Sequence, residues 1–429
     1  MPRGRTELTQ PITEENLQKT VEQVVQSMKV TDIHTHLYAP VFGDILLWGF
    51  DELVTYHYLK AETMRWVDIS YDQYWQMSKV EQADLIWQTL FVENTPYSEA
   101  CRGVLTTLQR LGLDVKSRDV QTYREYFESK KLEDYVRQVF DLAGLKCAVM
   151  TNDPFNPQER TVWLDKIKQA KAEVDPRFRA ALRLDVLLCS WEQSWDLLRQ
   201  WGFDVTHDLN ERTIEEVQRF LREWIRIMDP VYMAVSLPFD FQLPEESARA
   251  QLIESCILPV SRETNVPFAL MVGVKRQLNP GLKDAGDGVG KMDISSIDYL
   301  CSQYPHNKFL VTLLARENQH ELAVLARKFR NLLPFGCWWF LNNPSLIEEI
   351  TSMRLELLGN SVILQHSDAR VLDQLIYKWD HSRKIIAQIL TRKYRDVMAT
   401  GWVLTEAEIR RDVEKLMGGN LWSFLERKL

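Results

Sequence analysis

Two histidines one residue apart, His34 and His36, stand in the run TDIHTHL (31–37). Residues i and i+2 of a strand point to the same side. Two imidazoles on one face at a strand end can share a divalent metal, since histidine is the commonest metal ligand. The bland alternative is an accidental pair in a loop, which its place after an apolar run weighs against. A second run, HSDAR (366–370), offers Asp368 as a metal ligand or proton acceptor. Arg370 could stabilise negative charge on a bound substrate. Its bland alternative is a helix start, with Ser367 or Asp368 as the N-cap of DARVLDQLIYKW.

Weaker candidates follow. Arg183 in RLD (183–185) presents a fork of donors that suits a carboxylate, unless a salt bridge to Asp185 or Asp153 consumes it. In TYHYL (55–59), His57 and Tyr58 could close over a site as donors or proton shuttles. An amphipathic helix with its aromatics packed inward fits that pattern better. Lys275 and Arg276 in VKR (274–276) are further cations, and FGCWWFLNNP (335–344) follows another apolar run. DAGDGVG (284–290) lacks the Lys-Ser/Thr of a phosphate loop and reads as a mobile loop.

These residues need a frame. Eight short apolar runs recur: 30–34, 146–150, 179–184, 231–237, 267–274, 308–314, 334–340 and 361–366. Continuous apolar strands are what a sheet buried on both faces requires. Helical patterns lie between them, such as 213–228 and 320–333. The alternation predicts an α/β fold, a (β/α)8 TIM barrel whose active site sits at the C-terminal ends of the strands. Strands one and eight adjoin in a closed barrel, so Asp368 would approach the histidine pair. Residues 38–145 are predicted as a helical insertion over the mouth after strand 1, and 371–429 as a C-terminal helical extension. With no repeat and no linker, residues 1–429 read as a single decorated domain.

Composition narrows the class. Among 429 residues, 52 Lys+Arg against 60 Asp+Glu give a net charge of −8, which disfavours a nucleic-acid or anionic-membrane binder. Six scattered Cys without a CxxC pair read as reduced, mostly buried thiols. No apolar stretch opens the chain and no run is long enough to span a membrane, so a cytoplasmic protein without signal peptide is expected.

Taken together, the motifs resemble uronate isomerase, a divergent branch of the amidohydrolase superfamily. DIHTHL resembles its histidine pair after strand one. FDELVTYHYLKAETMRW (50–66) resembles its segment with a His-Tyr dipeptide before Met-Arg. RLD is similar to its strand-three ending, FGCWWF to its aromatic strand seven, and SDAR to its Asp-Ser-Arg motif. The resemblance covers about residues 28–425. It implies a barrel that interconverts D-glucuronate with D-fructuronate and D-galacturonate with D-tagaturonate, with one divalent metal, commonly Zn2+. On this resemblance His34, His36 and Asp368 form the metal site. Asp368 is also the proton-transferring base, Arg370 its partner, and His57, Tyr58 and Arg183 contact the hexuronate. The resemblance departs at strand five, where Met271 stands in place of a histidine and leaves three protein ligands. A small-molecule substrate is the implied partner, and a homo-oligomer is compatible with it.

Such a reaction moves a proton from C2 to C1 through a cis-enediol. It needs a base near C2, positive charge at O1 and O2, and a cation for the distal carboxylate. A mononuclear metal-dependent hydrolase of the same superfamily is the first rival. VSLPFD, Met271 and VTLLAREN lack the Lys and His that a binuclear hydrolase places after strands four, five and six. A non-catalytic sugar-acid binder is the second rival, and it would be expected to lose the Asp-Arg pair.

Overall fold

A computed structural model describes residues 11–169 and 174–429. Residues 1–10, where most of the signal-peptide reading falls, lie outside the described residues. Eight strands form one sheet: β1 (Val30–Thr35), β2 (Leu145–Asn152), β3 (Phe178–Arg183), β4 (Met233–Pro238), β5 (Phe268–Lys275), β6 (Gly288–Val289), β7 (Phe309–Leu313) and β8 (Leu332–Pro334). Seven run parallel in the order β1-β2-β3-β4-β5-β7-β8, and the short β6 pairs antiparallel with β5. Almost every strand residue is buried, as a sheet covered on both faces demands. The expected α/β alternation is present.

The eighth expected strand is not. Segment 361–366 makes one isolated parallel bridge, Phe335 to Ile363. Side chains explain the break. Gly336 turns the preceding strand away at φ +61°, and the Cys337 N–H donates to Gln365 Oε1 (2.8 Å) instead of a carbonyl. The Ser367 N–H donates to Asp32 Oδ1 (3.0 Å). A side-chain seam therefore replaces the ladder. Backbone contacts do reach β1: Asp368 N–H to His34 O (3.2 Å), and His36 N–H to Ala369 O (2.8 Å).

Two further expectations change. The run 334–340 is strand only up to Pro334, because Gly336 and the turn Trp339–Leu341 follow. The helical pattern 320–333 ends at Ala326, and its tail supplies β8. The loop around DAGDGVG is anchored: Asp284 pairs with Lys60 (3.0 Å), Asp287 with Arg276 (2.6 Å), and Trp75 donates to Gly281 O (2.8 Å). All six cysteines are free, and Cys189 alone is exposed. Among the described residues no helix is long and apolar enough to cross a membrane.

Between β1 and β2 the chain is helical, from Pro40–Ile45 to Leu132–Ala143, with no strand. The C-terminal part is helical too, led by Gln374–Met398. Both share one apolar cluster with the sheet: Phe50, Trp87 and Tyr123 from the insertion, Trp379 and Leu390 from the long helix, and Met150 and Leu270 from strands. A buried carboxylate fastens them. Asp373 Oδ2 accepts the Gly49 N–H (2.8 Å), and Oδ1 accepts the Tyr135 hydroxyl. Asp373→Ala leaves both donors buried without a partner and should lower stability by roughly 2–4 kcal/mol. Urea unfolding checks this; a midpoint equal to wild type would show that water satisfies those donors.

Candidate metal centre and active site

Three ligand atoms, one each from His34, His36 and Asp368, lie within 4.8 Å of one another. His34 Nε2 is 3.5 Å and His36 Nε2 3.4 Å from Asp368 Oδ1. Donors at about 2.0–2.1 Å from a tetrahedral ion stand roughly 3.3–3.4 Å apart, so the spacing suits a shared cation. His34 Nε2 and Asp368 Oδ1 are buried with no hydrogen-bond partner among the described residues. Such groups cost free energy unless something pairs with them.

The tautomers follow from two hydroxyls. Tyr232 donates its hydroxyl proton to Ile33 O (2.7 Å), and Thr151 donates its own to Thr35 O (2.7 Å). Each hydroxyl oxygen then lies 3.3 Å from a histidine Nδ1, Tyr232 on His34 and Thr151 on His36. With its one proton spent, each oxygen can only accept. Both Nδ1 atoms are therefore protonated, and both Nε2 lone pairs face the Asp368 carboxylate. Burial pushes Asp368 up, but the two imidazoles set against it, His34 and His36, outweigh burial and hold the carboxyl well below its ordinary value. Burial, ahead of the Arg370 charge, pushes His36 down. Two Nε2 atoms and one carboxylate oxygen turned toward one point make a donor set that suits a divalent ion.

Asp368 is not a helix cap. The helix begins at Gln374, six residues on, and Asp368 sits at φ +54°. Arg370 is half-buried, with its guanidinium 5.8 Å from the centre of the Trp339 ring. Its charge acts on His36 and His57. His57 opens the helix His57–Thr63, is buried, and meets Trp339 edge-on at 5.9 Å. Burial holds His57 well below its ordinary value, and its Nε2 has no hydrogen-bond partner among the described residues. Tyr58 stacks on Phe340 at 6.0 Å, and burial pushes its phenol well up, so it keeps its proton. The aromatic packing expected of this helix is present, and the charges of Arg370 and Asp368 act on His57.

Arg183 is held by a carboxylate on its own segment. Its Nε and Nη2 each lie 2.9 Å from Asp185, the salt bridge that the sequence left open. Its charge acts on Tyr38 and Asp153. Arg276 lines a cavity of about 410 Å³ with Asp185, Ser236 and Arg249 at the ends of β3 to β5. Lys275 is exposed. Met271 is buried in one apolar cluster with Tyr232 and Leu310.

Sequence reading passed over Tyr232, Thr151, Asp32 and His366. Asp32 binds Ser367 through one oxygen and the Trp379 indole through the other (2.8 Å), and burial raises it to about 6. Its place two residues before His34 was the available signal. His366 meets His34 edge-on at 5.3 Å, and neither of its nitrogens has a hydrogen-bond partner among the described residues. Thr151 lies on β2 and Tyr232 just before β4, and nothing in their local sequence marks them.

No family model matches the chain, and no curated protein matches it. Among solved structures, a uronate isomerase from Bacillus halodurans C-125 is 56% identical, with 98% of each chain covered and a TM-score of 0.95. This chain belongs to the uronate isomerase family. A uronate isomerase from Thermotoga maritima is 14% identical with a TM-score of 0.75, covering 99% of this chain and all of the other. A glucuronate isomerase from Caulobacter crescentus is 13% identical with a TM-score of 0.75, covering all of this chain and 98% of its own. At that identity the likeness is one of fold.

Two predictions follow from the hydroxyls and from a neighbouring carboxylate. Thr151→Val and Tyr232→Phe should each weaken zinc binding by about 10–100-fold, read by competition with a chromophoric chelator; unchanged affinity would show that the tautomers are fixed otherwise. Glu159, buried, accepts from Tyr38 (2.9 Å), Asn152 (3.0 Å) and the Asp153 N–H (2.9 Å), yet burial raises it from 4.5 to about 7. A raised carboxyl stabilises the fold while protonated, so its contribution is lost as pH rises from 4.5 through 7. Glu159→Gln should remove that decline, and parallel midpoint curves for the two proteins would refute it.

Proposed function

We propose that the protein is an aldose–ketose isomerase of hexuronates, interconverting D-glucuronate with D-fructuronate and D-galacturonate with D-tagaturonate. The observation that carries the reading is 56% identity to a uronate isomerase across 98% of both chains. The triad geometry supports it independently. In this reading His34, His36 and Asp368 hold one divalent ion, Zn2+, which when bound supplies Lewis-acid polarisation of the O1 and O2 oxygens.

The chain's own groups do the rest. Asp368, whose carboxyl is held well below its ordinary value, takes the C2 proton and returns it to C1. Arg370 donates to the charge that develops on the enediol oxygens. His57 and Tyr58, neutral and protonated respectively, hydrogen-bond the sugar hydroxyls and close the site against water. Arg183 takes the distal carboxylate in place of part of its bond to Asp185, with Arg276 beside the same strand ends. Segment 361–369 stands in for the eighth barrel strand, with residues 38–145 as a cap on one decorated domain. The reading places the enzyme in the cytoplasm, without nucleic-acid or membrane partners.

The test is ketose formation from D-glucuronate and D-galacturonate in an NADH-coupled assay, with and without added zinc. No turnover of either acid would overturn the reading. Within it, Asp368→Asn should cost about 10²–10⁴-fold in turnover that excess zinc does not restore, because an amide cannot accept the C2 proton. A rate within about threefold of wild type at saturating zinc would move the base to His57 or Tyr58.

A further inference from the structure

Asp368 occupies the left-handed region, at φ +54°. A residue with a Cβ stays there only when its surroundings hold it. One side chain outside the catalytic reading does much of that holding. Asn342 follows the turn Trp339–Leu341 and is buried. Its Nδ2 donates to the carbonyls of His366 (3.1 Å) and Ser367 (3.0 Å), the two peptide units just before Asp368. Its Oδ1 accepts from Gln365 Nε2 (3.2 Å). Gln365 Oε1 takes the N–H groups of Cys337 (2.8 Å) and His366 (3.2 Å). Behind it, Lys378 Nζ lies 3.5 Å from the Asn342 carbonyl and 2.8 Å from Glu99.

Two consecutive carbonyls bound to one rigid amide have their peptide planes fixed. That fixes the approach to Asp368 and the direction of its Cα–Cβ bond. Asp32 and the His34 carbonyl hold the N–H side of the same stretch. Among the described residues, Asn342 is the side chain that holds its carbonyl side.

We propose that Asn342 is a positioning residue for Asp368, keeping the carboxylate aimed between the two imidazoles. The proposal rests on the reading of Asp368 as metal ligand and base. In Asn342→Leu, which keeps the number and branching of side-chain heavy atoms, both carbonyls lose their donor and Asp368 is free to relax toward an ordinary backbone angle. Metal affinity and turnover should fall together, while substrate binding does not.

Cobalt(II) is the probe, loaded into wild type, Asn342→Leu and Asn342→Ser. The readouts are its dissociation constant, its visible d–d spectrum, and kcat and KM for the hexuronate turned over. Asn342→Leu should weaken cobalt about 10–100-fold, change the d–d band and lower kcat with little change in KM. Asn342→Ser, which keeps one donor, should fall between. If the leucine variant does not fold, the serine variant decides: weakened cobalt with an altered band supports the proposal. Wild-type affinity and spectrum in a folded variant overturn it, whatever happens to turnover. Wild type that binds no cobalt overturns the metal reading and this proposal together. Wild type that binds cobalt but isomerises no hexuronate removes only the substrate assignment, and the affinity and spectrum still decide about Asn342.

Discussion

The site depends on one constraint: an ionised carboxylate is held in the interior against two imidazole lone pairs. Asp368 cannot be satisfied by His34 and His36 alone, because their protons point the other way, to Tyr232 and Thr151. Taking a charge out of water costs several kcal/mol unless it is paired and hydrogen-bonded. The surrounding architecture is therefore organised around a place where positive charge is wanted. The same arrangement leaves His57 neutral and Tyr58 protonated, since burial opposes any further charge beside the triad.

Holding that arrangement requires a backbone that an ordinary strand does not give. Asp368 is left-handed, Trp339 across from it has φ +48°, and Gly336 has φ +61°. A Cβ on Gly336 would lie 2.0 Å from the His366 ring, so glycine is required there by contact as well as by angle. Each strained non-glycine position costs of order 1–3 kcal/mol. Buried side-chain amides and carboxylates offset that cost by occupying the peptide groups that a sheet would have used. Asp32 and Gln365 do this on one side of the seam, and Asn342 on the other. The closure is more local and more polar than a strand ladder, and it stands where the chemistry is.

The insertion and the C-terminal helix are coupled to the seam. Asp373 lies five residues beyond Asp368 and grips Gly49 and Tyr135, while the Leu372 N–H donates to Leu47 O (2.9 Å). Movement of the insertion would thus be felt at Asp368, and His57 rides on a helix of that insertion. Lys378, on the long helix, sits 6.0 Å from the centre of the Tyr58 ring and pairs with Glu99. Residues from three stretches far apart in sequence meet at this point.

The sequence by itself determined the α/β alternation, the helical stretch between the first two strands, and three residues that meet: His34, His36 and Asp368. These were legible because apolar periodicity and close spacing are local properties of the chain. Seven parallel strands appeared near the expected runs for the same reason. The eighth did not, because whether SVILQH forms a ladder depends on who claims its neighbours' N–H groups. Asp32 and Gln365 claim them from residues brought close only by folding. Likewise an Asp before a helical pattern reads as a cap, and only the φ of Asp368 and the start of the helix at Gln374 exclude it. For Arg183 the sequence left a free fork and a salt bridge to Asp185 or Asp153 both open, and the structure shows the bridge to Asp185. Proton placement was the least legible: the histidine tautomers are set by hydroxyls on β2 and beside β4, more than a hundred residues away. Spacing along a chain can name a ligand, but only the tertiary structure decides which of its nitrogens carries the proton.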